Sequence, residues 1–302
     1  MNLHNLKREF YDLIKNTSDY YKINETYVEK DYFVFVLLKE INLTFPHVVF
    51  KGGTSLSKCY GIINRFSEDI DLSIEVNYLT PKYKRSLKKT IVDSCEKLNL
   101  QILNIDNIRS RRDFNRYEIS YNPEYINKVI LQKILVETTY ISKTYPILEK
   151  ETKCFIYDYL EEIGRRDLIE KFDVEPFKIK VQSLERTFID KIFALCDSSL
   201  KQDLTRSSRH IYDLYKIYPL INIDETLKDL FNKVKEERKL NKRCISAQDG
   251  FDVGKKLKEI VALNIFEKDY KEVTSEIIYD NITYSEAILV LEKICNEFFN
   301  IK

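Results

Sequence analysis

The chain predicts an α+β fold, a β-sheet core flanked by helices and followed by an all-helical C-terminal lobe. Short β-branched and aromatic runs bounded by turn residues cluster between about residues 48 and 157. Helical spacing of apolar residues fills the stretch before them and resumes after Pro176, where only one further proline, Pro219, occurs. Hydrophobic residues make up 44% of the chain, including 17 Phe and 21 Tyr, which is enough apolar material for a packed core and excludes a disordered chain. At 302 residues the chain is about twice the ordinary domain length of ~150. Two lobes are expected: residues 1–180 as a core with N-terminal helices, and residues 181–302 as a helical domain.

From Leu6 to about Thr44 the apolar residues recur at helical spacing (Phe10, Leu13 and Ile14, then Val28, Tyr32, Phe35 and Val36), which predicts two or three helices. Val48-Val49-Phe50 reads as a buried strand that delivers the chain into Gly52-Gly53, and Thr54 or Ser55 opens the next helix. A strand from Asp69 to Val76 follows, then a basic helix from about Pro81 to Leu98 with proline in its first turn, and a strand around Leu100 to Ile105. Tyr117 to Tyr121 and Ile130 to Tyr140 form a hairpin-like pair. Ser183 reads as the N-cap of a helix running through Leu195, and Arg209 to Tyr215 is helical.

Lysine and arginine total 49 against 48 acidic residues, so no global field draws the protein to nucleic acid or to an anionic membrane. Any such contact must be a local patch. The six cysteines are dispersed without a C-x-x-C pair, which excludes a zinc site or disulfide scaffold of the usual spacing and suggests reduced, mostly buried thiols. The N-terminal segment is amphipathic and charged, and no run approaches the ~18 apolar residues that span a bilayer. A cytoplasmic protein without a membrane partner is expected.

The chemistry concentrates at Lys51-Gly52-Gly53-Thr54-Ser55 and, fourteen residues past Ser55, at Asp69-Ile70-Asp71-Leu72. Two of only six glycines sit side by side ahead of two hydroxyl residues, where a turn brings backbone N–H groups close to a phosphate. An isolated Gly-Gly is a tight turn and an isolated D-x-D a solvated strand face. Here the two lie one helix apart. On a strand, Asp69 and Asp71 share one face while Ile70 and Leu72 take the other, and paired carboxylates call for a hard divalent ion such as Mg2+. Together they read as a nucleoside triphosphate site. Walker A and dinucleotide glycine spacings are absent. Glu137, on an otherwise apolar strand, is the candidate third metal carboxylate, with an edge-strand solvent position as the alternative and Glu118 in reserve. Lys191 falls within about 20° of Leu184 on the apolar side of its helix. It either snorkels to water or reaches triphosphate oxygens. Arg209 and Asp213, four apart, form a helix ion pair in the bland reading, and His210 is a weaker candidate for a general base.

In order, Lys51-Gly52-Gly53-Thr54-Ser55-Leu56, Arg65 to Leu72, Asp190 to Leu195 and Arg209 to Leu214 resemble the four motifs of the AbiEii/AbiGii toxin family. These are nucleotidyltransferase-like relatives of the MenT toxins within the DNA polymerase β-like superfamily. The resemblance spans roughly residues 20–220. It implies a nucleotidyltransferase-type mixed β-sheet core, a divalent metal and a nucleoside triphosphate donor. It also implies a toxin of a type IV toxin–antitoxin or abortive-infection (phage-defence) system, with a cognate antitoxin acting without direct contact and a tRNA 3′ end as one acceptor. Carried over, Gly53, Thr54 and Ser55 would hold the β- and γ-phosphates, Asp69 and Asp71 the metal, and Lys191 the triphosphate, while Asp213 would orient Lys191 or the acceptor. The third carboxylate belongs to no quoted motif, so Glu137 rests on the strand reading alone. His210 and Ile211 also depart from the final motif, which often carries lysine or aspartate there.

The expected activity is therefore transfer of a nucleotidyl group to an acceptor hydroxyl, with Glu137 deprotonating that hydroxyl or sharing a second metal. An RNA end would meet local basic runs, Lys82, Lys84, Arg85, Lys88 and Lys89 or Arg109, Arg111 and Arg112, with tyrosine stacking; each run is equally a solvated face. The rival classes are a non-catalytic nucleotide- or RNA-binding interaction protein, and a nucleotidyltransferase acting on a protein or small molecule. The first predicts that D69N or K191A leaves the biological effect intact.

Overall fold

The computed structural model describes residues 2–67, 69–125 and 132–299. The chain forms two compact units: residues 1–60, 67–140 and 147–181 make the first, and residues 61–66, 141–146 and 182–302 the second. Two short segments embedded in the first half of the sequence thus belong to the second unit.

The first unit is built on a seven-stranded mixed sheet. Its strands are β1 (Val48–Lys51), β2 (Asp69–Ile74), β3 (Gln101–Ile102), β4 (Phe114–Ser120), β5 (Lys133–Thr139), β6 (Ile147–Thr152) and β7 (Phe177–Gln182). Their spatial order is β3-β4-β5-β2-β1-β7-β6. β1 runs antiparallel to β2 and parallel to β7, β2 runs parallel to β5, and β4 is antiparallel to both β5 and β3. The period-2 alternation decides which side chains go inward: Ile70 and Leu72, Tyr117 and Ile119, and Ile134 and Val136 are all buried. Packed with them in one core are residues of helices α1 (Lys7–Tyr21), α2 (Glu25–Thr44), α4 (Pro81–Lys97), α5 (Phe155–Glu162) and α6 (Arg166–Phe172). Between β1 and β2 lies the short α3 (Gly52–Lys58).

The second unit is helical: α7 (Leu184–Lys201), α8 (Arg209–Ile217), α9 (Glu225–Lys239), α10 (Val253–Ala262), the single turn α11 (Glu267–Asp269) and α12 (Tyr284–Phe298). Ser183 caps α7, accepting the Arg186 N–H at 3.3 Å, and Thr283 with Glu286 forms a capping box at α12. α7 packs against α8, α9 and α10.

Five elements differ in extent or kind from the sequence reading. α3 takes in both glycines instead of opening at Thr54 or Ser55, because Gly52 enters the helix at φ +75°, a left-handed conformation open to glycine. The chain beyond Pro176 is not helical at once: Phe177–Gln182 forms β7, where Ile179 and Val181 alternate inward between lysines. β3 spans only two residues, and β2 stops at Ile74. β5 begins at Lys133; residues 130 and 131, assigned to that strand from sequence, lie outside the described residues, as does Glu68 of the second motif.

Candidate active site

β1 ends at Lys51, and the chain turns through Gly52 directly into α3. Paired with β1, the antiparallel β2 places Asp71 opposite Lys51, so Asp71 comes back over the turn. The approach is close: a Cβ on Gly52 would lie 1.9 Å from Asp71 Oδ2. Both the positive φ and this contact require glycine at 52. The glycine turn and the acidic strand therefore form one local structure in the first unit. The two hydroxyls of the motif brace it from within. Ser55 Oγ donates to Gly52 O at 2.8 Å, and Thr54 Oγ1 lies 2.9 Å from Ser67 Oγ, with Thr54 and Ser55 both buried. What the turn presents to a ligand is its first-turn backbone N–H groups, which lack intrahelical acceptors. The far end of α3 is fastened by Lys58, whose ammonium sits 2.5 Å from Asp31 Oδ1 of α2, while Asp31 Oδ2 accepts the Phe155 N–H that opens α5.

Asp69 and Asp71 lie on the face of β2 opposite Ile70 and Leu72 and are half-buried. Asp69 Oδ1 is buried with no hydrogen-bond partner, a costly state for a carboxylate oxygen unless a cation completes it. Asp71 pairs in register with Glu137 of β5, and Glu137 with Arg116 of β4, so Lys51, Asp71, Glu137 and Arg116 make one row across four strands. Glu137 thus stands beside Asp71, as the alternation predicts, but its Oε1 accepts the Arg116 Nε–H at 2.7 Å and lies 2.7 Å from Nη2. The reserve residue Glu118 pairs with Lys133 at 3.0 Å. Among the described residues no three His, Cys, Asp or Glu side chains converge into a metal-binding set. A divalent ion nevertheless fits the Asp69–Asp71 pair, on the strength of the orphaned Asp69 oxygen.

In the second unit, Asp213 of α8 is fully buried and saturated. It accepts Arg65 Nε at 2.7 Å and Arg65 Nη2 at 2.9 Å, and Lys191 Nζ lies 2.6 Å from its Oδ2. Arg65 is delivered by the 61–66 segment, pinned by its bridge to Ile278 and by the Asn64 N–H on the Tyr212 hydroxyl. Burial alone would push the Asp213 carboxyl up, but the two cations outweigh it and hold it below the usual carboxylate range. Burial lowers Lys191 despite Asp213, with Arg65 and Arg209 repelling its charge, and the same factors drive His210 well down, leaving it neutral. Lys191 does not snorkel: it is buried, and with Arg65 it pairs with Asp213.

The sequence-predicted residues therefore fall in two groups, Gly52 to Ser55 with Asp69, Asp71 and Glu137 in the first unit, and Lys191 with Asp213 in the second. The basic runs are partly neutralised by their own surroundings: Lys84 pairs with Asp113, Lys89 with Asp93, and Lys88 donates to Ile108 O. Sequence reasoning gave no role to Arg65, Arg116 or Lys58. Arg65 meets its partner 148 residues away, with no local signal to announce it. Arg116 was within reach, since the alternation of β4 puts it on the same face as Glu118 and the register sets it directly opposite Glu137.

The family described as "Nucleotidyl transferase AbiEii toxin, Type IV TA system" matches residues 36–289. The chain belongs to the AbiEii family, and it is a nucleotidyltransferase toxin of a type IV toxin–antitoxin system. No curated protein matches it. Among solved structures, it is similar to JHP933 from Helicobacter pylori, at 17% identity and a TM-score of 0.42 over 86% of this chain and 88% of that one. It is also similar to the nucleotidyltransferase toxin MenT4 from Mycobacterium tuberculosis H37Rv, at 14% identity and a TM-score of 0.46 over 92% of this chain and 84% of that one. Among the described residues no helix is long and apolar enough to cross a membrane.

Proposed function

We propose that the chain transfers a nucleotidyl group from a nucleoside triphosphate to an acceptor hydroxyl at an RNA 3′ end, with tRNA as the acceptor class, using Mg2+ held by Asp69 and Asp71. The observation that carries this reading is the wedge of Asp71 against Gly52 beside the unpartnered, buried oxygen of Asp69. It puts a dianionic, cation-seeking strand face directly over a turn whose free N–H groups suit phosphate oxygens. A divalent ion bound there supplies charge neutralisation on the transferring phosphates. The backbone of Gly53, Thr54 and Ser55 holds the phosphate tail, with the buried hydroxyls keeping the turn in shape. Within the second unit, Asp213 fixes the direction of the Lys191 ammonium. The first unit is the nucleotidyltransferase core and the second a helical domain; the protein acts in the cytoplasm, in abortive infection, and its antitoxin neutralises it without direct contact.

Incubating the protein with each labelled nucleoside triphosphate and total cellular RNA or protein tests this reading. Label enters RNA with the wild type and not with D69N. Label in neither fraction, or equal labelling by D69N, overturns it.

A further inference from the structure

Two further carboxylates on this face of the sheet are already matched with a basic side chain, Glu137 with Arg116 and Glu118 with Lys133, whereas Asp69 Oδ1 has no hydrogen-bond partner. We infer that Arg116 is a built-in counter-cation that keeps Glu137 out of the metal's ligand set, so that this site takes one divalent ion, on Asp69 and Asp71, where the strand row alone would suggest two. The inference rests on the proposed metal site and concerns its stoichiometry.

The row Lys51, Asp71, Glu137 and Arg116 carries the charges plus, minus, minus, plus across β1, β2, β5 and β4. With Asp69 added, three carboxylates and two cations leave one formal negative charge, which a single divalent ion already overcompensates. A second ion would enter a positive field. Arg116 cannot give way by losing its proton, because a guanidinium stays charged at any accessible pH. Its Nε–H donates to Glu137 Oε1 at 2.7 Å, and Nη2 lies 2.7 Å from the same oxygen, so the guanidinium is paired with that carboxylate. Arg116 is a positioning residue here: it touches Glu137, and through it sets how many ions the face accepts.

Mn2+ alone, titrated into the full chain and counted by loss of the free-ion paramagnetic resonance signal, tests this. Wild type is expected to bind one Mn2+ per chain. R116K, which keeps the charge, also binds one. In R116Q a second Mn2+ binds at least about tenfold more tightly than any second ion on the wild type, and R116Q/E137Q returns to one. Arg116 is 54% exposed, so these substitutions leave the core untouched. Two ions on the wild type, or one ion on R116Q, overturns the inference and leaves the Asp69–Asp71 site standing. No Mn2+ on either protein overturns both.

Discussion

Asp71 and Asp213 are each the centre of a charged cluster, one in each unit, and they are built in opposite ways. Asp71 sits half-buried among other acids, with Asp69 beside it and Glu137 in register, and the neighbouring Asp69 oxygen lacks any donor. Asp213 is fully buried, and three N–H donors from Arg65 and Lys191 converge on it. The first arrangement is unfavourable as it stands and becomes favourable when a cation arrives. The second is complete without a ligand, and its surplus of cations over carboxylates gives it a net positive character. Acid strain marks a place meant for something else to bind, whereas charge satisfaction marks a scaffold that holds a lysine in one direction.

The largest effect follows from neutralising each aspartate in turn. D213N leaves Arg65 and Lys191 buried with only an amide, and breaking a buried pair in this way costs about 3–5 kcal/mol. Denaturant unfolding should show that loss. D69N instead removes repulsion on a half-buried face, so its unfolding free energy should stay within about 0.5 kcal/mol of wild type while transfer is abolished. A large stability loss in D69N would mean that the acidic face is already satisfied in the free protein, and the contrast would collapse.

Much of the acidic site was legible in the sequence, because it is local. Gly52, Asp69 and Asp71 fall within twenty residues, and the period of two in a strand is enough to put both aspartates on one face and Glu137 beside them once β2 and β5 are neighbours. The cluster around Asp213 was legible only in part. Helical periodicity flagged Lys191 as a lysine out of place, but a snorkelling side chain and a buried ion pair have the same one-dimensional signature. Arg65 supplies two of the three bonds to Asp213 from 148 residues away, and no pattern in a sequence reports a contact closed by the tertiary fold. β7 was missed for a different reason. The run Phe177-Lys178-Ile179-Lys180-Val181-Gln182 alternates as a strand should, yet it is only six residues long and abuts a long helical period.

The contact between turn and acid gives the next largest effect. Alanine at position 52 must adopt φ near +75° and place its Cβ 1.9 Å from Asp71 Oδ2, so G52A should lose about 2–3 kcal/mol and displace the carboxylate. The double mutant G52A/D71A separates the two causes: removing the carboxylate relieves the clash but not the backbone strain. The cycle should therefore show a coupling of about 1 kcal/mol or more. Strict additivity would mean that Asp71 does not rest on the glycine.

Glu29 sharpens the comparison, because it is a buried carboxylate held by amide donors, with no cation paired to it among the described residues. It accepts the N–H groups of Glu124 and Tyr125, and burial pushes its carboxyl up to about 7 from an ordinary 4.5. The folded state therefore keeps a proton that the unfolded chain has released, and wild-type stability falls as pH rises from about 4.5 to about 7 and then levels off. Relative to E29Q, which cannot titrate, the wild type should lose on the order of 2 kcal/mol between pH 4.5 and pH 8, read from unfolding midpoints at the two ends. Asp213 shifts the other way, so its contribution appears above about pH 4 and fades below it. A flat difference between wild type and E29Q would mean that two amides hold the Glu29 charge as well as two cations hold that of Asp213.

The smallest effect lies where charges meet in water. Lys89 and Asp93 are four residues apart on α4 and 2.5 Å apart, yet both are largely solvated, at 76% and 48% exposure. Screening and side-chain entropy consume most of such a pair's Coulomb energy, and lysine preceding aspartate is the weaker orientation on a helix. K89A should change stability by no more than about 0.3–0.5 kcal/mol. It should still weaken RNA retention measurably if the 81–89 run serves the acceptor, because losing one phosphate contact acts on affinity and its salt dependence independently of folding. An unchanged salt slope would assign Lys89 to a merely solvated face, and would leave Arg109, Arg111 and Arg112 to carry the RNA contact.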